Sequence, residues 1–108
     1  MITNCQIHKD LIYELKKKSI ASEKEVCGFI VENQNFIECE NIHPDPYHYF
    51  LISPNHYIWG DDVILFHSHP KICEEKGFSK WDLENQFYFQ LKMLLYSVKY
   101  DEFYFSDL

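Results

Sequence analysis

The sequence contains no long apolar run. None of its segments approaches the roughly 20 consecutive apolar residues that a membrane-spanning helix needs. The N-terminus also lacks the charged and then apolar layout of a secretory signal peptide. These two absences predict a cytoplasmic protein with no membrane partner.

The sequence also lacks an excess of positive charge. It has 10 Lys and Arg residues and 17 Asp and Glu residues, which gives a formal net charge of −7. Nucleic-acid binding normally needs a basic surface that displaces condensed counterions. We therefore expect neither DNA nor RNA as a partner.

None of the cysteines forms a Cys-x-x-Cys pair, so neither a zinc knuckle nor a thioredoxin-like redox site is indicated. In a chain without export signals, reduced thiols are the favoured state. Cys27 and Cys39 are expected to face one another across a hairpin as a core pair rather than as a disulfide. Repeats and polar low-complexity runs are absent as well, so the hydrophobic content of 46% predicts one folded domain over residues 1–108.

Apolar periodicity and turn residues predict the elements in outline. We expect helices at 8–21 and 79–90, a short helical turn after Ser53-Pro54, and strands at 26–32, 35–42, 49–52, 63–67, 94–99 and 102–105. Along the second helix, Leu83, Phe87 and Leu91 recur at helical spacing. The aromatic runs 87–89 and 103–105 predict core and edge packing, and exposed members of these runs would form a protein-binding patch. The fold class is α+β, with a mixed or antiparallel sheet flanked by two main helices.

His67 and His69 are the first candidate metal ligands. One residue separates them, so on an extended segment both imidazoles project to the same face and can meet one ion. The preceding apolar run, 63–66, is typical of a buried strand, and Pro70 directs the following loop, 71–78, out of the sheet. Cys73 lies in this loop, where a bystander thiol is favoured over a metal ligand.

Asp82 is the candidate third ligand. Ser79 has the position of a helix N-cap, and Asp82 then falls in the first turn, where an ordinary capping box would explain the pair equally well. Two imidazoles, one carboxylate and a water make a four-coordinate zinc site with an exchangeable position, as in catalytic zinc. Zinc lowers the pKa of its water, but a base must still accept the proton, and we assign that role to Glu25. Ser79 is expected to donate its hydroxyl to the developing oxyanion.

Glu25, then His67-Ser68-His69-Pro70, then Ser79-x-x-Asp82 resembles the pattern of the JAMM (MPN+) zinc metallopeptidase family. The resemblance extends over nearly the whole chain, and segments 25–28, 39–42 and 50–54 are similar to the N-terminal peptidase domain of phage tail-assembly proteins. It implies a single JAMM-like domain. The 71–78 loop departs from the family pattern, because it is longer than is usual in the family.

The function expected from these residues is zinc-dependent hydrolysis of an amide bond. The resemblance implies a protein or peptide substrate, either a ubiquitin-like protein or, in the host cytoplasm if a phage encodes the chain, a tail-tip component. One alternative is a metal-stabilised structural or binding module in tail assembly, without catalysis. A metal nuclease is a third possibility, disfavoured by the acidic composition and by the single carboxylate among the ligands.

Overall fold

A computed structural model describes residues 7–107. In this part of the chain two α helices and five strands follow one another, with one 3-10 turn at Pro54–His56. The elements are α1 (Lys9–Ile20), β1 (Cys27–Val31), β2 (Asn35–Cys39), β3 (Val63–His69), α2 (Lys80–Phe89), β4 (Lys92–Ser97) and β5 (Glu102–Ser106). The predicted α+β class is confirmed, and all but one of the predicted elements form.

The five strands make one mixed sheet in the order β2-β1-β3-β4-β5. Strands β3 and β4 run parallel, while the other neighbouring pairs are antiparallel. A parallel pair needs a crossover connection, and the segment containing α2 supplies it. β3 lies at the centre of the sheet, and every one of its residues is buried, as expected of a strand covered on both faces.

Two apolar clusters cover the two faces of the sheet. On one face the buried side of α1, which includes Leu11 and Leu15, packs against Ile64 and Phe66 of β3. On the other face Leu65 packs with Phe29 and Phe50. Because side chains alternate along a strand, His67 and His69 project to the same face as Leu65.

The β1–β2 hairpin pairs Cys27 directly with Cys39, as the sequence predicts. Both thiols are free, and Cys27 is fully buried. Burial raises the pKa of the Cys27 thiol, so it remains protonated at physiological pH. The turn places Glu32 and Asn33 in the left-handed region, with φ of 55° and 58°, which matches the twist that a tight hairpin turn requires.

The prediction of a strand at 49–52 is wrong. Residues 49–52 form no regular element, although the Ile42 amide donates to the Leu51 carbonyl at 2.9 Å. The side chain of Asn41 takes the place of a strand partner: its amide donates to the Tyr49 carbonyl, and its carbonyl oxygen accepts from the Leu51 amide. One polar side chain therefore satisfies the backbone groups that a ladder would have paired.

The expected apolar stripe of α2 faces the core only at Leu91, which follows the helix and is buried. Leu83 is 46% exposed and Phe87 is 79% exposed, whereas Asp82 and Gln86 are buried. Tyr88 of the adjacent aromatic run is exposed as well. The prediction that the 87–89 run packs in the core or at its edge is therefore wrong for Phe87 and Tyr88. The 103–105 run does pack, with Phe103 in the core. None of the helices within residues 7–107 has the length and apolar character needed to cross a bilayer.

Candidate metal centre

The end of β3 presents two buried imidazoles. His67 is 0% exposed and His69 is 2% exposed. Ser68, between them, points to the opposite face, where its hydroxyl oxygen accepts a hydrogen bond of 2.8 Å from the Val26 amide. The backbones of Ser68 and Val26 are joined as well, at 2.9 Å. These bonds fix the strand end that carries both imidazoles.

The same pairing brings Glu25 to the site. β1 and β3 are antiparallel with Cys27 opposite His67, and the bonds between Val26 and Ser68 extend this pairing by one residue. Glu25 therefore comes level with His69. Its backbone amide donates to the Pro46 carbonyl at 2.8 Å, and its side chain is only 3% exposed.

Asp82 lies in the first turn of α2, which begins with the predicted capping box. The Ser79 hydroxyl oxygen accepts from the Asp82 amide at 3.1 Å, and Asp82 Oδ2 accepts from the Ser79 amide at 2.8 Å. The carboxylate lies near the positive end of the helix dipole, which favours its negative charge. The cap therefore also aims the carboxylate at the end of β3.

Four side chains thus meet at one point: Glu25, His67, His69 and Asp82 each offer an atom, and these atoms all lie within 4.8 Å of one another. His67 Nε2 lies 3.0 Å from Asp82 Oδ1, and His69 Nε2 lies 3.0 Å from Asp82 Oδ2. The contact of His69 is a hydrogen bond, but that of His67 lacks hydrogen-bond geometry. Cys73 is not a member of this group.

The two buried carboxyl groups of the cluster have pKa values shifted in opposite directions. Burial, followed by the charge of Asp82, raises the pKa of Glu25 to about 9. Burial would also raise the pKa of Asp82, but the adjacent His67 and His69 rings hold it well below its usual range. Without a cation, Glu25 is therefore protonated near neutral pH beside the ionised Asp82, and a cation at this point would favour the ionised form of both groups.

Unpartnered polar atoms mark the same point. Among the described residues, buried side-chain atoms without a hydrogen-bond partner are Glu25 Oε1, both ring nitrogens of His67 and His69 Nδ1. Leaving such atoms unpaired costs about 1–3 kcal/mol each, so a cluster of them indicates a missing partner. A divalent ion held by His67, His69 and Asp82 would bind one nitrogen of each ring, and a water on that ion would be the partner of Glu25 Oε1. The residues present therefore fit a metal ion, whose identity they do not specify.

Three further residues support the centre, and sequence reasoning missed all of them. The Phe50 ring stacks on the His67 ring at 4.7 Å and limits its rotation. The Asn41 amide donates to the Glu25 carbonyl at 3.0 Å, and Ser68 ties β3 to Val26. Only Ser68 carries a sequence signal, since a polar residue between two ligands on a strand must face the other way.

No protein-family model matches this chain, and no curated protein matches it. The case for a metal centre therefore rests on the four convergent side chains. Three of them, two imidazoles and one carboxylate, are the ligand types of a catalytic zinc site with one open position. The fourth, Glu25, offers a second carboxyl group within 4.8 Å of the other ligand atoms, and such a group is able to accept or donate a proton.

Proposed function

We propose that this chain is a zinc-dependent peptidase or isopeptidase of the JAMM (MPN+) type, which hydrolyses an amide bond. The observation that carries the proposal is the convergence of Glu25 on the group formed by His67, His69 and Asp82. A purely structural metal site is closed by four protein ligands, whereas a hydrolytic site adds a base beside an exchangeable position. The substrate would be a ubiquitin-like protein or a phage tail-tip component.

His67, His69 and Asp82 would hold the ion. When bound, zinc supplies Lewis-acid activation of a water molecule and of the scissile carbonyl. The stacked Phe50 ring and the capping box keep these ligands in place, so little reorganisation is needed when the ion binds.

Glu25 would take the proton from the attacking water and pass it to the leaving amine. Its position two residues before β1, with its backbone amide bonded to the Pro46 carbonyl, fixes the backbone that carries the carboxylate. A neighbouring divalent cation favours the ionised form of a buried carboxyl group, so the group becomes competent as a base when the metal is present.

Ser79 would stabilise the oxyanion that forms during attack. Its hydroxyl oxygen already accepts the Asp82 amide hydrogen, so the hydroxyl hydrogen remains available for donation. The residue is half-buried and lines a groove, where a substrate carbonyl can approach it. Removing such a donor typically costs about 10²–10³ in turnover.

The substitution Glu25→Gln tests the proposal. It retains the shape of the side chain and removes the base, so we expect bound zinc to be unchanged and turnover to fall by at least about 10²-fold. Zinc is measured by elemental analysis, and turnover by cleavage of a panel of ubiquitin-like and tail-tip fusion proteins. Glu14→Gln, at an exposed carboxylate on α1, is the matched control and should cleave normally.

Two outcomes would contradict the peptidase assignment. Full turnover in Glu25→Gln would remove Glu25 from the mechanism. Stoichiometric zinc without cleavage of any fusion by the wild-type chain would instead favour the metal-stabilised structural module in tail assembly.

A further inference from the structure

The candidate metal centre is closed to solvent in this structure. None of its four side chains is more than 3% exposed, and Glu25 Oε1 and His67 Nε2 are buried atoms. Exchange of a metal ion needs a path from solvent to these atoms, and hydrolysis needs a path wide enough for a polypeptide. Part of the wall around the centre must therefore move.

The loop 71–77 is the part of this wall that is held least firmly. β1 and β3 are joined by a ladder, α2 begins with a capping box, and Phe50 is buried against His67. In the loop, by contrast, every residue is exposed or half-buried. Grooves of about 820 Å³ and 650 Å³ flank the loop, and Ile72 lines both of them. Displacement of the loop therefore breaks few packing contacts and meets open space on either side.

Both ends of the loop are fixed at the metal centre. The Cys73 amide donates to the Pro70 carbonyl at 2.9 Å, so the chain reverses its direction immediately after His69. At the other end, the ring of Phe78 lies 6.2 Å from the ring of His67 and is partly buried in the adjacent apolar cluster. The loop thus leaves one proposed ligand and returns beside another.

Electrostatic interactions place the middle of the loop near the centre as well. Burial is the main cause of the raised pKa of Glu25, followed by the charges of Asp82 and Glu75. Burial also raises the pKa of the Cys73 thiol, and the charges of Glu25 and Asp82 add to this effect. Such interactions weaken with distance, so Cys73 and Glu75 lie close to the two buried carboxyl groups.

Glu74 fastens the loop to the turn between β4 and β5, residues 98–101. Its carboxylate oxygen Oε1 lies 2.6 Å from the Lys99 ammonium, and its carbonyl accepts a hydrogen bond of 3.1 Å from the Tyr100 hydroxyl. These two contacts form a latch. The turn itself is fixed to β3, because the Val98 amide donates to the His69 carbonyl at 3.0 Å. Exposed ion pairs and hydrogen bonds each contribute little stability, so the latch can break without unfolding of the domain.

We propose that the loop 71–77 is a lid over the metal centre, held closed by the latch between Glu74 and the β4–β5 turn, and that it opens to admit the metal ion and the substrate. The proposal rests on the proposed function, since it gives the buried site of a zinc peptidase a way in. Opening would set the rate at which zinc enters and leaves, without changing the atoms that bind it. A closed lid also excludes bulk water, which strengthens the electrostatic interactions at the centre.

The substitutions Lys99→Met and Tyr100→Phe together break the latch and leave the sequence of the loop unchanged. Zinc release from the loaded protein is followed at several concentrations of a chromophoric chelator and extrapolated to zero chelator. We expect release from this latch variant to be at least about 5-fold faster than from the wild type, because loss of an ion pair and a hydrogen bond raises the population of the open form. The dissociation constant for zinc, measured by competition with a chelator of known affinity, should stay within about 2-fold, because a lid controls entry and exit alike.

The matched control carries Lys18→Met and Tyr13→Phe. It also loses an exposed ion pair, that of Lys18 with Glu38 at 3.2 Å, and it changes the net charge equally. Both substituted residues lie on α1, which packs on the face of the sheet opposite to the metal centre. Zinc release from this control should match that of the wild type.

Equal release rates in the wild type and the latch variant would overturn the lid. Faster release with a proportionally weaker affinity would overturn it as well, because that pattern indicates a damaged binding site. A wild-type chain that binds no zinc would remove the lid together with the centre. Failure of the peptidase function alone has a different signature, because the wild-type chain would then cleave no fusion protein while the latch variant still released zinc faster at unchanged affinity.

Discussion

At the scale of single residues, Gly28 shows how closely the hairpin beside Glu25 is packed. A methyl group at this position would contact the Ile37 carbonyl oxygen, and would lie 2.7 Å from a ring carbon of Phe36 and 2.9 Å from the Glu38 Cα. Two of these three atoms belong to the backbone of β2. Relief would therefore require β1 and β2 to separate.

We expect Gly28→Ala to lower the free energy of unfolding by about 1–3 kcal/mol, as overpacking of a rigid site does. Urea denaturation measures the change. Gly77→Ala is the matched control, because its added methyl group would lie 3.8 Å from the Tyr104 ring, in ordinary contact, and should change stability by less than about 0.5 kcal/mol. Equal effects of the two substitutions would show that the hairpin tolerates a wider spacing.

At the scale of the secondary-structure elements, Asn41 connects the segment 41–51 to the site. Its side-chain amide donates to the carbonyls of Glu25 and Tyr49, each at 3.0 Å. Its carbonyl oxygen accepts from the amides of His43 and Leu51, each at 3.1 Å. This one side chain therefore holds together two segments that form no ladder with each other.

Asn41→Ala is expected to destabilise the protein by about 2–3 kcal/mol, since several partly buried backbone groups lose their partner at once. Thermal and urea unfolding measure the loss. Asn55→Ala, at an exposed position of the 3-10 turn, should cost less than about 0.5 kcal/mol. A comparable loss in both variants would contradict the assigned role of Asn41.

The elements that the sequence predicts well are those with local signals. α1 has an apolar stripe, α2 begins with Ser79 and Asp82 at capping spacing, and the hairpin has polar turn residues. The parallel pairing of β3 with β4 joins strands that are distant in the sequence. For this reason the sequence did not decide between a mixed and an antiparallel sheet. Local patterns carry no information about which distant strand becomes a neighbour.

The two errors have a common cause, since in both cases a polar side chain has a specific partner. In α2, Asp82 faces the imidazoles and Gln86 donates to the Ser106 carbonyl at 2.8 Å, so the polar side of the helix turns inward and Leu83 turns outward. At 49–52, Asn41 replaces a strand. Hydrophobic periodicity assumes that apolar side chains decide which face is buried, and here specific polar contacts outweigh that preference.

The sequence was sufficient to predict the part of the candidate site that lies on β3. Alternation along an extended strand is sufficient to place His67 and His69 on one face. The approach of Glu25 and Asp82 depends on β1–β3 pairing and on the packing of α2, and the sequence could indicate it only through a resemblance to a known pattern. Zinc binding and catalysis by these residues stay predictions.

At the scale of the whole molecule, the candidate metal centre lies where three elements meet. Glu25 precedes β1, the two imidazoles end β3, and Asp82 begins α2. An ion bound at this junction would join the sheet to the helix that covers it, and would stabilise the folded chain by mass action. All four side chains are buried, and without a cation the raised pKa of Glu25 keeps its carboxyl group protonated beside Asp82.

The most direct test of this account is the zinc content of the purified chain after removal of its metal and reloading, measured by mass spectrometry of the native protein. We expect one zinc ion per wild-type chain and almost none in His69→Ala, while His56→Ala, at an exposed histidine, should bind as the wild type does. A wild-type chain that binds no zinc, or a His69→Ala chain that retains it, would contradict the central claim that these side chains form a metal centre.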